Sequence, residues 1–108
     1  MLTSLKLMTD YYCFPLWIKD SSNVFDNIDP EKLPISDILK KRLLSWSTLY
    51  DQILNLEDPA SSNFKSEEDE NRFYEEGESL WRLLQEELRG KYKVYYYDRK
   101  IPKLRSPD

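Results

Sequence analysis

Near the start of the chain, apolar and polar positions alternate. Leu5, Leu7, Thr9 and Tyr11 fall on one side of an extended backbone, with Lys6, Met8, Asp10 and Tyr12 on the other. A period of two predicts a β-strand over residues 5–13. Pro15 cannot donate to a ladder, so regular pairing should end near it. Leu16, Trp17 and Ile18 read as a second short extended piece. Residues 19–34 are polar, with Ser, Asn, Asp and two prolines, and read as a loop.

The period then changes. Leu39, Leu43, Trp46, Tyr50 and Ile53 recur at steps of four and three, which is one stripe of a helix. Ser36 is a good N-cap, and Asp37 follows in the turn where the helix dipole favours negative charge. This helix should stop near Asn55, because residues 58–63 combine Pro59 with Asp, Ser and Asn, which is turn chemistry. A second helix begins at Ser66, with Glu67 and Glu68 in its first turn and Asp69 completing a capping-box-like pattern. Phe73, Gly77, Leu80, Leu84 and Leu88 form its apolar stripe, with Trp81 alongside. Glycine inside a helix costs about 1 kcal/mol against alanine. Gly77 on the buried stripe therefore predicts close approach of another element. Gly90 suits the position just past the helix end.

Residues 92–97 are rich in β-formers, with Tyr92, Val94 and Tyr96 on one face and Tyr95 and Tyr97 on the other. A slip of one residue in register would exchange the two sets. The element order β-α-α-β predicts an α+β fold: two amphipathic helices packed on a small sheet formed by the terminal strands. Residues 1–98 make one domain, and residues 99–108 read as a basic, flexible tail.

Composition narrows the function. Aromatic residues make up 14% of the 108, enough for a compact core with rings left over for a surface. Residues 1–88 hold 9 Lys and Arg against 18 Asp and Glu, while residues 89–108 hold 7 against 2. An acidic body argues against a general nucleic-acid binder, since phosphate contacts supply most of that affinity. It favours a basic protein partner, whose approach it would steer, or it serves solubility alone. No apolar run is long enough to span a membrane. The lone Cys13 and the absence of a secretory leader pattern point to the cytoplasm.

Candidate chemistry is sparse. The chain has no histidine, hence no His-based acid–base pair or nucleophile relay. Two glycines cannot build a phosphate-cradling loop. No metal or cofactor is expected, and the chain does not read as an enzyme. Cys13 reads as a small buried hydrophobe or, less readily, as a reactive thiol. The carboxylates of the second helix suit a solvated face. The exposed tyrosines and tryptophan invite a binding reading, because these residues dominate interface energetics.

The run Lys6-Leu7-Met8-Thr9-Asp10-Tyr11-Tyr12-Cys13-Phe14-Pro15-Leu16-Trp17 resembles a group of small bacterial proteins. Asn27-Ile28-Asp29-Pro30, Leu33-Pro34-Ile35-Ser36, Trp46-Ser47-Thr48-Leu49-Tyr50-Asp51 and Asp58-Pro59-Ala60-Ser61-Ser62 continue the likeness, as does the stretch from Leu80-Trp81 to Leu88. The group is similar in kind to the immunity proteins of bacterial toxin systems, contact-dependent growth inhibition among them. The resemblance implies a protein that binds and blocks a toxin domain inside the producing cell. On the residues themselves, Glu67, Glu68, Asp69, Glu70, Glu75 and Glu76 would steer a basic toxin domain such as a nuclease, and Tyr12, Trp17, Tyr95 or Tyr97 would anchor it. Two rivals remain at this point: an adaptor or regulator that binds a cellular protein, and an enzyme working through carboxylates alone.

Overall fold

The computed structural model describes residues 2–19, 21–53 and 63–107. Strands β1 (Thr3–Leu7), β2 (Leu16–Lys19) and β3 (Phe25–Ile28) are followed by a short 3-10 turn, Pro30–Lys32. Helices α1 (Asp37–Asp51) and α2 (Glu67–Glu87) come next, then strands β4 (Tyr92–Asp98) and β5 (Lys103–Arg105). The α+β class and the pairing of terminal strands hold. The sheet is larger than expected, with five strands in the order β3-β2-β1-β4-β5. β1 and β4 run parallel at its centre, and the other neighbours are antiparallel.

Parity along the strands decides which face meets the helices. Leu5, Leu7, Leu16, Val94 and Tyr96 are buried, and the register puts them on one side of the sheet. Leu39, Leu43, Trp46 and Tyr50 of α1, and Phe73, Leu80, Trp81 and Leu84 of α2, close over that side. Each buried indole has a partner: Trp46 Nε1 donates to the Phe73 carbonyl at 2.9 Å and Trp81 Nε1 to the Val94 carbonyl at 2.8 Å. Both helix starts are capped as expected. Ser36 Oγ accepts from the Leu39 amide and Ser66 Oγ from the Asp69 amide. Gly90 takes φ +79° just beyond α2, a conformation glycine adopts without steric cost.

Three expectations need correction. β1 ends at Leu7: Met8 N–H still bonds across to the Pro15 carbonyl at 2.9 Å, but Pro15 has no N–H to return, and the Met8 carbonyl accepts from Trp17 Nε1 instead. Thr9 stays buried in the loop that follows. The stretch read as a loop over 19–34 contains β3, whose polar Asp26 and Asn27 hide an edge strand from a hydrophobic pattern. α1 ends at Asp51, with Gln52 as its C-cap. Its expected stop at Asn55, and residues 58–62 of the expected turn, lie outside the described residues. Lys103–Arg105, expected in a loose tail, pairs with β4 as β5. It is held by Arg105, whose guanidinium meets Glu78 and Asp98 and sits 4.8 Å from the Trp81 ring.

Burial of the tyrosines has a pH consequence. Desolvation pushes the Tyr50 hydroxyl up to about 12 and raises that of Tyr96 as well. Unfolded, both ionise near 10. The folded state then holds protons that the unfolded state has released. The stability Tyr50 contributes is fully present below pH 10 and is lost as pH rises through about 12, and that of Tyr96 is lost at higher pH still. A rise from 10 to about 12 at Tyr50 corresponds to about 3 kcal/mol without solvent screening and to roughly half of that with it. The urea midpoint should therefore fall steeply between pH 9 and pH 11.5, and a flat profile would contradict the burial.

Candidate partner-binding surface

The two helices run antiparallel. Ser36 at the start of α1 donates its amide and hydroxyl to Glu87 near the end of α2, at 2.6 and 2.9 Å. Trp46 stacks on Phe73 with centroids 4.9 Å apart, and Tyr50 stacks on Phe73 at 5.7 Å. The first turn of α2 therefore lies beside the last turn of α1. The loop over residues 8–15 sits at the same end. Tyr11 stacks on Tyr50 at 4.7 Å, Tyr12 N–H donates to Asp51 at 2.8 Å, and Ser47 Oγ donates to the Cys13 carbonyl at 2.9 Å.

That end gathers part of the predicted site. Glu67, Glu68 and Asp69 are exposed in the first turn of α2, and Glu70 is half-buried. Glu68 pairs with Arg72 one turn on, an exposed contact of 3.1 Å worth a few tenths of a kcal/mol. Tyr12 lies on the loop and is 73% exposed. Glu75, further along α2, is exposed as well.

Glu76 has a different role. It takes a two-pronged bond from Arg42, Nε to Oε2 at 3.0 Å and Nη2 to Oε1 at 2.6 Å. Arg42 Nη2 also reaches Ser79 Oγ at 3.2 Å. The hydrogen bond with Glu76 raises the Arg42 pKa. This carboxylate ties α1 to α2.

The other predicted anchors are elsewhere. Trp17, Tyr95 and Tyr97 stand on the sheet face turned away from the helices, since the residues preceding them along the strands, Leu16, Val94 and Tyr96, face the core. Trp17, Lys6 and Tyr95 make one row across three strands. Lys6 Nζ lies 4.6 Å from the Phe25 ring centroid and 5.6 Å from that of Trp17, and Lys93 Nζ lies 5.5 Å from that of Tyr95. Lys19 projects onto the same face. The predicted acids and aromatic anchors thus do not form one surface: Tyr12 shares an end with the acidic turn, Trp17 and Tyr95 stand among lysines, and Tyr97 lies 5.5 Å from the Arg99 guanidinium. Sequence reading missed Phe25 and the lysines of this face because β3 does not show as a strand in the pattern, and without it no row across the sheet can be drawn.

Cys13 is half-buried, and desolvation, helped by the charges of Asp10 and Asp51, raises its thiol pKa. A raised thiol pKa lowers the thiolate fraction that a nucleophile needs. Among the described residues, no three His, Cys, Asp or Glu side chains gather in a metal-holding group. No described helix is long and apolar enough to cross a membrane.

The family model described as Serratia CdiI immunity protein-like matches residues 3–99, from the start of β1 to just past β4. β5 lies beyond the matched stretch. No curated protein matches the chain. With 97 of 108 residues matched, the chain belongs to the Serratia CdiI immunity protein-like family.

Proposed function

We propose that this protein neutralises a toxin by binding it and blocking it, in the cytoplasm of the cell that makes both. The observation that carries the reading is membership of the immunity-protein family over nearly the whole chain. The partner is a basic toxin domain, and a nuclease fits best, because a surface built for phosphates is the natural complement of an acidic protein. The first turn of α2, with Glu67, Glu68, Asp69 and Glu70, supplies the attracting field, and Glu75 extends it along the helix. Such a field raises the association rate more than it deepens affinity.

The test is a charge reversal at Glu67, Glu68, Asp69 and Glu70 to lysine, with association to the product of the neighbouring upstream gene, as the candidate toxin domain, followed by stopped flow. The on-rate should fall about 10- to 100-fold at low salt, and the difference from the natural protein should shrink as salt screens the field. An unchanged on-rate and an unchanged salt slope would remove the acidic turn from the mechanism. Binding to an unrelated cellular protein, with none to the toxin domain, would favour an adaptor instead.

A further inference from the structure

Residues 8–15 leave the sheet for a whole loop, yet their backbone is fixed from several sides. Tyr12 N–H donates to Asp51 of α1. The Phe14 amide donates to Asn27 Oδ1 at 2.9 Å, and the Phe14 carbonyl accepts from Asn27 Nδ2 at 2.6 Å, both from β3. Arg99, just past β4, donates from Nε and Nη2 to the Thr9 carbonyl at 3.2 and 2.5 Å. Its guanidinium also lies 5.0 Å from the Tyr50 ring centroid. Three separate elements therefore hold one loop.

The loop in turn presents two rings to solvent. Tyr12 is 73% exposed and Phe14 40% exposed. Tyr12 is kept at φ +59°, a left-handed conformation that a residue with a Cβ adopts only when its surroundings impose it. Burying these rings in the chain's own core cannot be what the scaffold serves, since they point out of it. Fixing the backbone beneath an exposed ring removes part of the ordering cost of binding. Tyrosine suits that use, with a large amphipathic surface and two torsions to fix. Asp10 within the loop and Asp51 beside it supply negative charge, which Arg99 at Thr9 offsets in part.

We infer that the 8–15 loop is a preformed hook, whose Tyr12 ring enters an apolar pocket rimmed by basic side chains on the toxin domain. This rests on the immunity reading proposed above and adds the place and chemistry of the contact. Trp17, Tyr95 and Tyr97, on their lysine-bearing face, are not the anchors for a basic partner, because like charge would meet like.

The experiment compares the full-length protein with Tyr12→Gly and Tyr12→Phe, by calorimetric titration against the upstream-encoded toxin domain and by thermal unfolding. Glycine accepts the left-handed backbone, so Tyr12→Gly should keep its Tm within about 4 °C. Its Kd should weaken about 30-fold or more, the scale of an anchor residue. Tyr12→Phe keeps the ring and should stay within about 5-fold of the natural affinity. If the natural protein binds and Tyr12→Gly binds equally well, the hook is wrong while the immunity reading stands. If affinity and Tm fall together, the ring is structural and the hook is again wrong. If the natural protein does not bind the toxin domain, the immunity reading fails and the hook with it.

Discussion

Trp46→Ala should cost about 3–5 kcal/mol of folding stability, a larger loss than any other truncation in this core should bring. Trp46 is 1% exposed and lies where both helices and the sheet meet. Its ring stacks on Phe73 at 4.9 Å and tilts against Tyr96 at 6.4 Å, and its Nε1 donates to the Phe73 carbonyl. Truncation removes the Trp46–Phe73 stack between α1 and α2 and leaves a cavity that rigid aromatic neighbours cannot close. The lost hydrogen bond adds about 1 kcal/mol. A urea titration followed by far-UV circular dichroism measures the loss. A cost below about 1 kcal/mol would mean that the indole is not wedged between the layers.

Gly77 gives the second large effect, and its sign runs against helix propensity. A Cβ at this position would lie 2.5 Å from Tyr96 Oη and 2.9 Å from Trp46 Cζ2. Alanine gains about 1 kcal/mol over glycine inside a helix. Here the methyl group meets two rings that are each 1% exposed, with Tyr96 on a central strand paired to β1. Overpacking of this kind costs about 1–3 kcal/mol. Gly77→Ala should thus be destabilising on balance by about 1 kcal/mol, and Gly77→Val, with two further methyls and a poorer helix residue, by about 3 kcal/mol or more. Tyr96→Phe removes the nearer atom, so it should recover part of the Gly77→Ala loss in a double-mutant cycle. A Gly77→Ala protein more stable than the natural one would show that α2 and β4 stand further apart than described.

These two positions also mark how much of the molecule can be read from residues alone. The buried stripes of both helices, the caps Ser36 and Ser66 and the sharing of one face by Tyr92, Val94 and Tyr96 follow from periods of 3.6 and 2 and from local hydrogen-bond chemistry; that this face is the inward one does not. Gly77 is legible because glycine weakens a helix, and a buried stripe carries that cost where another element comes too close for a Cβ. β3 and β5 are not legible. Phe25-Asp26-Asn27-Ile28 and Lys103-Leu104-Arg105 are short, polar edge strands, and edges carry charge that masks the strand pattern. What makes them strands is pairing with β2 and β4, which no local window contains.

The candidate site divides along the same line. The acidic turn at Glu67 is written in consecutive residues. Its association with Tyr12, and its separation from Trp17, Tyr95 and Tyr97, arise from contacts between residues far apart in the chain, such as Tyr12 with Asp51 and Arg99 with Thr9. Before folding, the four rings are equivalent candidates. The fold places Tyr12 at the end that carries the carboxylates, Trp17 and Tyr95 among lysines, and Tyr97 against Arg99. The engagement of Glu76 by Arg42 is equally non-local, since 34 residues separate them.

The most direct measurement of the central claim is whether the purified protein, added in increasing amounts, abolishes the activity of a toxin domain taken from the product of the neighbouring upstream gene. The account predicts complete inhibition at one protein per toxin, with inhibition weakening as salt rises. Full toxin activity at several-fold excess of this protein would contradict it.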